Sequence, residues 1–334
     1  MIINRTEMNS VIDLDTTYGG KKVMVLGASG FIGRWVARLL CKHGAQVYLF
    51  VRNPPAAEKI FSDYNIRGII VESNLEQSFM TFLNQFQKIK PSITFNLAGY
   101  GVDRSERDQA TTRLLNTELV EKLCDAVSGS IDTGWSGQNL VHTGSALEYG
   151  EISGDLSESS SPHPTTLYGQ TKLAGTTLLQ KACTSGILKG VTARLFTVYG
   201  PGEHNGRLLP ALIDAANSGK PLQLTEGLQK RDFTYIGDVA EGLLILGACG
   251  KSGGGIINLA TGKLTSVRNF TEKAAKTLSI PTEKLEFGAL PTMAEEMEHS
   301  PVNISNLEEI VGWVPQTTIE EGVLKTIGFI SDLN

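Results

Sequence analysis

The sequence has no apolar run approaching the roughly 18 residues of a membrane span. Cysteine is scarce: four in 334 residues (Cys41, Cys124, Cys183 and Cys249), far apart and without metal-ligand spacing. That excludes a disulfide framework and a zinc site, and points to reduced thiols packed in helices of a cytoplasmic protein. An excess of one charge sign is also missing. Thirty Lys and Arg stand against 35 Asp and Glu, a net −5, which excludes general binding to nucleic acid or to an anionic membrane. An anionic substrate would therefore need a local basic pocket. The first 20 residues lack the apolar centre of a secretory signal and read as a tail or added surface segment closed by Gly19-Gly20. Repeats and low-complexity tracts are lacking too. What is present is the composition of a globular protein, 41% hydrophobic and 19% charged, long enough to bury a large core.

The order of elements follows from the apolar pattern. Short apolar strands are expected at Val23–Leu26, Val47–Val51, Gly68–Val71, Ile93–Leu97, Asn139–Thr143 and Val191–Phe196. Helical stretches fall between them near Ile32–His43, Leu75–Lys88, Thr111–Val127 and Tyr168–Ala182. Repeated β–α units imply a doubly wound parallel sheet covered on both faces, with ligands at the carboxyl ends of the strands. After Tyr199 the pattern becomes mixed: a turn-rich YGPGEHNG loop, then a helix at Arg207–Asn217 and short strands at Leu222–Leu224 and Phe233–Ile236. A helix after Gly237, a strand at Ile256–Leu259 and helices at Val267–Leu278 and Ile319–Ile327 complete the chain. The expected organisation is thus a tail (1–20), a Rossmann-type nucleotide-binding domain (21–190) and a smaller mixed α/β region (191–334). The last would hold substrate and interleave with the sheet.

The stretch KVMVLGASGFIGR, from Lys22 to Arg34, anchors this reading. An apolar strand runs into Gly27, Gly30 and Gly33 and then into an amphipathic helix. Gly27 allows a sharp turn, Gly30 close approach of backbone to a pyrophosphate, and Gly33 close helix–strand packing. The helix start offers free N–H groups to phosphate. Gly27, Ser29, Gly30, Phe31, Ile32, Gly33 and Arg34 therefore form the candidate cofactor cradle.

An NAD-type site usually has an acid at the end of the second strand to grip the ribose hydroxyls. Here that strand ends in Val51-Arg52, and no acid occurs between Gly33 and Glu58. An arginine can hold a 2′-phosphate that a carboxylate would repel. Arg52, with Arg34 as a second clamp, thus favours NADP(H) over NAD(H). Asn53 remains open as a ribose partner.

Tyr168-Gly-Gln-Thr-Lys172 puts a phenol and an ammonium at i and i+4 on one helix face. A nearby cation is expected to lower the phenol pKa and so ready it for proton transfer. The similarly spaced Tyr18-Gly-Gly-Lys-Lys22 contains Gly-Gly before the first strand and is discarded as non-helical. Ser145 falls just past the carboxyl end of the strand before the Pro162/Pro164 loop. Its hydroxyl can hold a reacting carbonyl while Tyr168 handles the proton; for Ser145 taken alone, a turn or cap is the better reading.

The motifs GASGFIG, SALEYG, YGQTK, RLFTVYGPG and RDFTYIGDVA, in that order, resemble the extended short-chain dehydrogenase/reductase family of nucleotide-sugar epimerases, dehydratases and reductases. The resemblance runs from about Lys21 to Ile330. It implies a Ser145–Tyr168–Lys172 catalytic set, a Rossmann domain with a small substrate domain, and a homodimer formed through helices near Thr111–Val127 and Tyr168–Ala182. By the same resemblance Asn74 and Leu75 would border adenine, with Asn standing where the family often has Asp. Ala98 and Gly99 would border the cofactor. Arg231 would contact the diphosphate of a nucleotide sugar, with His204 and Arg207 as further basic candidates. Thr197 stands where many members carry a substrate-facing asparagine, and Asp238 reads as a helix N-cap.

Dehydratases of the family usually carry Asp-Glu directly after the catalytic Ser/Thr. Here those positions are Ala146-Leu147, which cannot do acid–base chemistry. Together with Arg52 this favours NADPH-dependent reduction of a nucleotide-diphosphate keto sugar, at C4 of a 4-keto-6-deoxyhexose. The alternatives are an NAD-dependent 4-epimerase, a reductase of a non-sugar carbonyl compound, and a non-enzymatic cofactor sensor. A sensor would be marked by a broken Ser/Tyr/Lys set, which is intact here.

Overall fold

The computed structural model describes residues 12–75, 78–102, 106, 108–152, 154–250, 255–291 and 298–333. The chain begins with a short helix, α1 (Leu14–Tyr18), followed by β1 (Lys22–Leu26), α2 (Phe31–Lys42), β2 (Gln46–Val51), α3 (Pro54–Asp63) and β3 (Ile69–Glu72). Next come α4 (Phe79–Ile89), β4 (Ile93–Asn96), α5 (Gln109–Arg113), a π-helical turn at Leu114–Glu118, and α6 (Leu119–Ser128). The first half closes with β5 (Leu140–Ser145), α7 (Leu167–Thr184) and β6 (Gly190–Leu195). Strands β1–β6 pair in parallel in the order β6-β5-β4-β1-β2-β3.

Burial on both faces explains the unbroken apolar strands. In β1 every residue from Val23 to Leu26 is fully buried. The two-residue strand period then deals them to opposite sides. Val23 and Val25 join the core under α1, α2 and α3, whereas Met24 and Leu26 join the core under α4, α6 and α7.

The second half adds β7 (Thr197–Tyr199), α8 (Leu208–Ser218), β8 (Leu222–Leu224), β9 (Lys230–Tyr235) and α9 (Ile236–Ala248). It continues with β10 (Ile256–Leu259), β11 (Leu264–Ser266), α10 (Val267–Thr277), β12 (Leu285–Phe287), α11 (Ser305–Val311) and α12 (Ile319–Ser331). Strand β10 returns to the main sheet as its seventh strand, parallel to β6, and α9 packs on α2. The remaining strands form two small sheets, β11-β9-β7 and β12-β8. The stacked pair Phe233–Phe270, with centroids 4.3 Å apart, seats α10 on β9.

Three local expectations need correction. The presumed tail is structured before residue 20: Tyr18 is fully buried against Phe95 and Trp135, and its hydroxyl donates to the Leu244 carbonyl at 2.6 Å. Residues 1–11 of that segment lie outside the described residues. The helix expected from Leu75 starts at Phe79, because Ser78 Oγ accepts the Thr81 N–H and caps it there. Asp238 lies in the first turn of α9, whose N-cap is Tyr235. Its carboxylate instead accepts from the Gln316 and Thr317 N–H groups and the Thr317 hydroxyl, tying the C-terminal segment to α9.

Candidate active site

The sheet register sets the predicted residues along one rim. Leu26 pairs with Asn96 at the ends of β1 and β4, and Ser145 pairs with Leu195 at the ends of β5 and β6. The chain turns off this rim at Asn74 after β3, Arg52 after β2, Gly27 after β1, Ala98 and Gly99 after β4, Ser145 at the end of β5 and Thr197 after β6.

The glycine-rich turn is dense backbone. Gly27 has φ +72°, and a Cβ there would lie 2.8 Å from the Leu97 carbonyl oxygen. A Cβ on Gly33 would lie 2.0 Å from the Gly27 oxygen, and one on Gly30 3.1 Å from the same atom. No side chain caps α2, so its first N–H groups face the rim. This cradle fits a dinucleotide pyrophosphate. Ser29 is half-buried in the turn, and Phe31 and Ile32 pack into the core beneath it. Arg34 folds back, donating to the carbonyls of Ser29 (2.8 Å) and Gly30 (3.0 Å), and its guanidinium lies over the Tyr64 ring. Arg52 is exposed at the end of β2. Asn53 spends its side-chain oxygen on capping α3, accepting from the Ala56 N–H at 3.1 Å. Asn74 is half-buried in the turn after β3, and Leu75 packs beside the α4–α6 core.

Helix α7 brings Tyr168 and Lys172 to the rim. Thr166 caps it through the Gly169 N–H, which fixes its start just before the tyrosine. Lys172 is 3% exposed and donates to the Thr143 carbonyl at 3.0 Å. A Cβ on Gly99 would lie 3.2 Å from Lys172 Nζ, and one on Gly101 3.4 Å from the Tyr168 ring, so the loop after β4 closes directly over both. Burial lowers the Lys172 pKa to about 8, against an upward pull from Glu148.

The expected lowering of the Tyr168 pKa is not what this environment gives. Burial raises it, Glu148 and Glu106 add to the rise, and the hydrogen bond with Ser145 opposes them. Lys172 Nζ sits 6.0 Å from the ring centroid, and desolvation of the phenol outweighs any help from it.

Ser145 combines both roles considered for it. Its Oγ accepts the Leu147 N–H at 3.2 Å as the cap of a short 3₁₀ turn, Ala146–Glu148, and its hydroxyl pulls the Tyr168 pKa down against the effect of burial. The cap leaves the hydroxyl proton free to point elsewhere.

The candidates of the second half are more dispersed. Thr197 opens β7 and pairs with Phe233. Arg231 lies on β9 opposite Thr265 and acts electrostatically on His299. His204 and Arg207 are exposed on the loop after β7, where Arg207 pairs with Glu203 at 3.4 Å. That loop meets the cofactor side through Trp35, whose indole N–H donates to the Pro201 carbonyl at 2.9 Å.

Three residues were missed from sequence. Asn116 sits in the π-helical turn that interrupts the expected 111–127 helix. Its amide donates to the Tyr100 carbonyl and to Thr171 Oγ1 and accepts from the Tyr100 N–H, fixing the loop over Lys172. An asparagine on the apolar face of an amphipathic helix was the available signal. His299 is buried, accepts the Asp232 N–H at Nδ1 and stands edge-on to Phe196. Burial first, then Arg231, lowers its pKa to about 4. Glu148 is fully buried against Arg194 at 2.9 Å, three residues after Ser145.

A model of the NAD-dependent epimerase/dehydratase family matches residues 23–260. A dTDP-6-deoxy-L-talose 4-dehydrogenase (NAD(P)(+)) of Kitasatospora kifunensis is 31% identical over 316 residues, covering 90% of this chain and 93% of that protein. A UDP-glucose 4-epimerase of Mycolicibacterium smegmatis is 27% identical over 92% of this chain and 98% of its own length. Among solved structures, a UDP-glucuronic acid 4-epimerase from Bacillus cereus, in complex with UDP-glucuronic acid and NAD, superposes with a TM-score of 0.79. It is 24% identical and covers 94% of this chain and all of its own. The glycine cradle, the seven-stranded parallel sheet and the matched length together establish that this chain is an enzyme of the NAD-dependent epimerase/dehydratase family, within the extended short-chain dehydrogenases/reductases.

Proposed function

We propose that the protein reduces a nucleotide-diphosphate 4-keto-6-deoxyhexose at C4 with NADPH. The observation that carries the reading is the rim of β5: Ser145 acts on Tyr168 there, Lys172 donates to the Thr143 carbonyl two residues before it, and Ala146 and Leu147 follow where 4,6-dehydration would need acids. The relative from Kitasatospora, named for dehydrogenation at C4 of a dTDP-6-deoxy sugar with NAD(P)⁺, supports the same carbon and the reverse direction.

NADPH, when bound, supplies the hydride. Gly27, Gly30, Gly33 and the start of α2 would hold its pyrophosphate, and Ala98 and Gly99 would line its path. Arg52 would hold the 2′-phosphate, in the absence of any acid at the end of β2. Ser145 donates its hydroxyl proton in a hydrogen bond to the C4 carbonyl oxygen. Tyr168 gives its phenolic proton to that oxygen as negative charge grows on it. Lys172, charged below about pH 8, stabilises the phenolate left behind. Arg231 would meet the substrate diphosphate, with Thr197, His204 and Arg207 as further substrate contacts. A cytoplasmic homodimer paired through residues near 111–127 and 168–182 belongs to this reading, and light scattering tests the pairing. Among the described residues no helix is long and apolar enough to cross a membrane.

The first test is a pair of fluorescence titrations with NADPH and NADH, followed by incubation with dTDP-4-keto-6-deoxyglucose. Tighter, reversible NADPH binding and net NADPH consumption are expected. A protein that retains NAD through purification and interconverts C4 epimers without consuming cofactor would replace the reductase with the epimerase.

A further inference from the structure

Glu148 is the feature of this site that the proposed reaction leaves unused. The carboxylate is fully buried, as is its partner Arg194, a pairing that costs heavily in desolvation unless every oxygen is occupied. Both oxygens are. Oε1 accepts the backbone N–H of Ser145 at 2.9 Å and the Thr176 hydroxyl at 3.1 Å; Oε2 accepts Arg194 Nε at 2.9 Å. Three elements therefore meet on one side chain: the turn that carries Ser145, helix α7 and strand β6. Thr176 lies one i+4 step beyond Lys172, which is one i+4 step beyond Tyr168, so all three share a helix face. The space is kept open for this contact. A Cβ on Gly144 would lie 2.5 Å from Glu148 Oε1, and one on Gly169 would lie 2.3 Å from the Leu147 oxygen.

We propose that Glu148 is a positioning residue of the reacting set: its carboxylate fastens the Ser145 turn to the Tyr168–Lys172 helix and sets its charge against the helix face that carries Lys172. The proposal rests on the reading of Ser145, Tyr168 and Lys172 as the reacting groups. The other titratable or charged groups around them are Glu106 in the loop before α5, His142 on β5, Tyr149 in the turn, and Arg194 on β6, with Glu158 beyond it. Glu148 acts on both Tyr168 and Lys172, raising each, whereas Arg194 is held against Glu148 and the Tyr149 ring, 4.3 Å from its centroid. The chemical consequence is a Lys172 that stays an ammonium at neutral pH although it is buried.

The test reads the lysine itself. Full-length protein labelled with ¹³C at the lysine ε carbons is titrated by NMR, with the Lys172 signal assigned by its loss in Lys172→Met. The wild-type midpoint is expected near pH 8. The double variant Glu148→Gln/Arg194→Met removes the charge without stranding the arginine and keeps an amide oxygen for Ser145 and Thr176. Its midpoint is expected to fall by about 1 pH unit, with circular dichroism unchanged. Glu148→Gln alone should move the midpoint the same way. An unmoved midpoint in folded variants overturns the proposal. The readout needs no substrate, so it stands apart from the proposed reaction. Full turnover by Tyr168→Phe would remove that reaction and leave this titration valid.

Discussion

Two turns leave the same rim of the sheet and are built on opposite principles. The turn after β1 is made of absent side chains: Gly27, Gly30 and Gly33 let backbone pack on backbone, and nothing charged is buried in its contacts with Leu97 and Ala98. The turn after β5 is made of buried charge: Glu148, Arg194 and Lys172 are each no more than 3% exposed, with Glu148 bonded to the Ser145 N–H and to Arg194, and Lys172 to the Thr143 carbonyl. A binding cradle needs open N–H groups and little else. A proton-transferring site needs groups whose ionisation the protein controls, and burial beside fixed charges is how that control arises.

The contrast can be broken at either turn. The largest effect is expected from Tyr168→Phe, which should lower turnover about 10²- to 10⁴-fold with little change in NADPH affinity; steady-state rates beside a fluorescence titration check both halves. Gly33→Ala should act in the reverse sense on the other turn. Its methyl group collides with the Gly27 carbonyl, so cofactor binding should be lost and thermal stability reduced by about 1–3 kcal/mol, as read by calorimetry. Glu148→Ala strands Arg194 in the core and should cost about 3–5 kcal/mol in denaturant unfolding, which Arg194→Met added to it should largely restore.

Arg52→Ala sharpens the comparison within the cradle. It should weaken NADPH about 10- to 100-fold and leave NADH nearly unchanged, since one charged hydrogen-bonding partner is removed. The smallest effect concerns the loop that meets the cradle at Trp35. Burial raises the Glu203 carboxyl to about 7, with Arg207 pulling it down. The folded protein therefore binds more protons there than the unfolded chain between about pH 4.5 and 7, and this group's contribution to stability declines as pH rises through that window. Glu203→Gln should flatten that decline and raise stability at pH 8 by about 2 kcal/mol; melting curves across the window read it.

How far the sequence could be read follows the same contrast. Every strand of the main sheet was expected to within about two residues, and Gly27, Gly30 and Gly33 were identified with their reasons, because an unbroken apolar run and a local turn are written in adjacent residues. Tyr168 and Lys172 were legible for the same reason, being one helical turn apart. The ionisation of Tyr168 was expected in the wrong direction, because burial under the loop after β4 is a property of packing. Tyr18 was set aside as part of a non-helical Tyr-Gly-Gly segment, and its place in the core depends on Leu244, 226 residues away. Glu148 stands in the SALEYG motif with nothing local to mark it, since its partner Arg194 is 46 residues away.

The sequence by itself determined the alternation of strands and helices, the cofactor cradle and the phenol–amine pair, because each rests on contacts within a few residues. Tertiary structure decided that Asn116 interrupts its helix to hold the loop over Lys172, that Arg34 is turned onto the Ser29 and Gly30 carbonyls, and that Glu148 meets Arg194 across 46 residues of chain. Those contacts join elements brought together only when both faces of the sheet are covered, and in that buried setting desolvation and nearby charge, rather than residue type, fix how each group ionises.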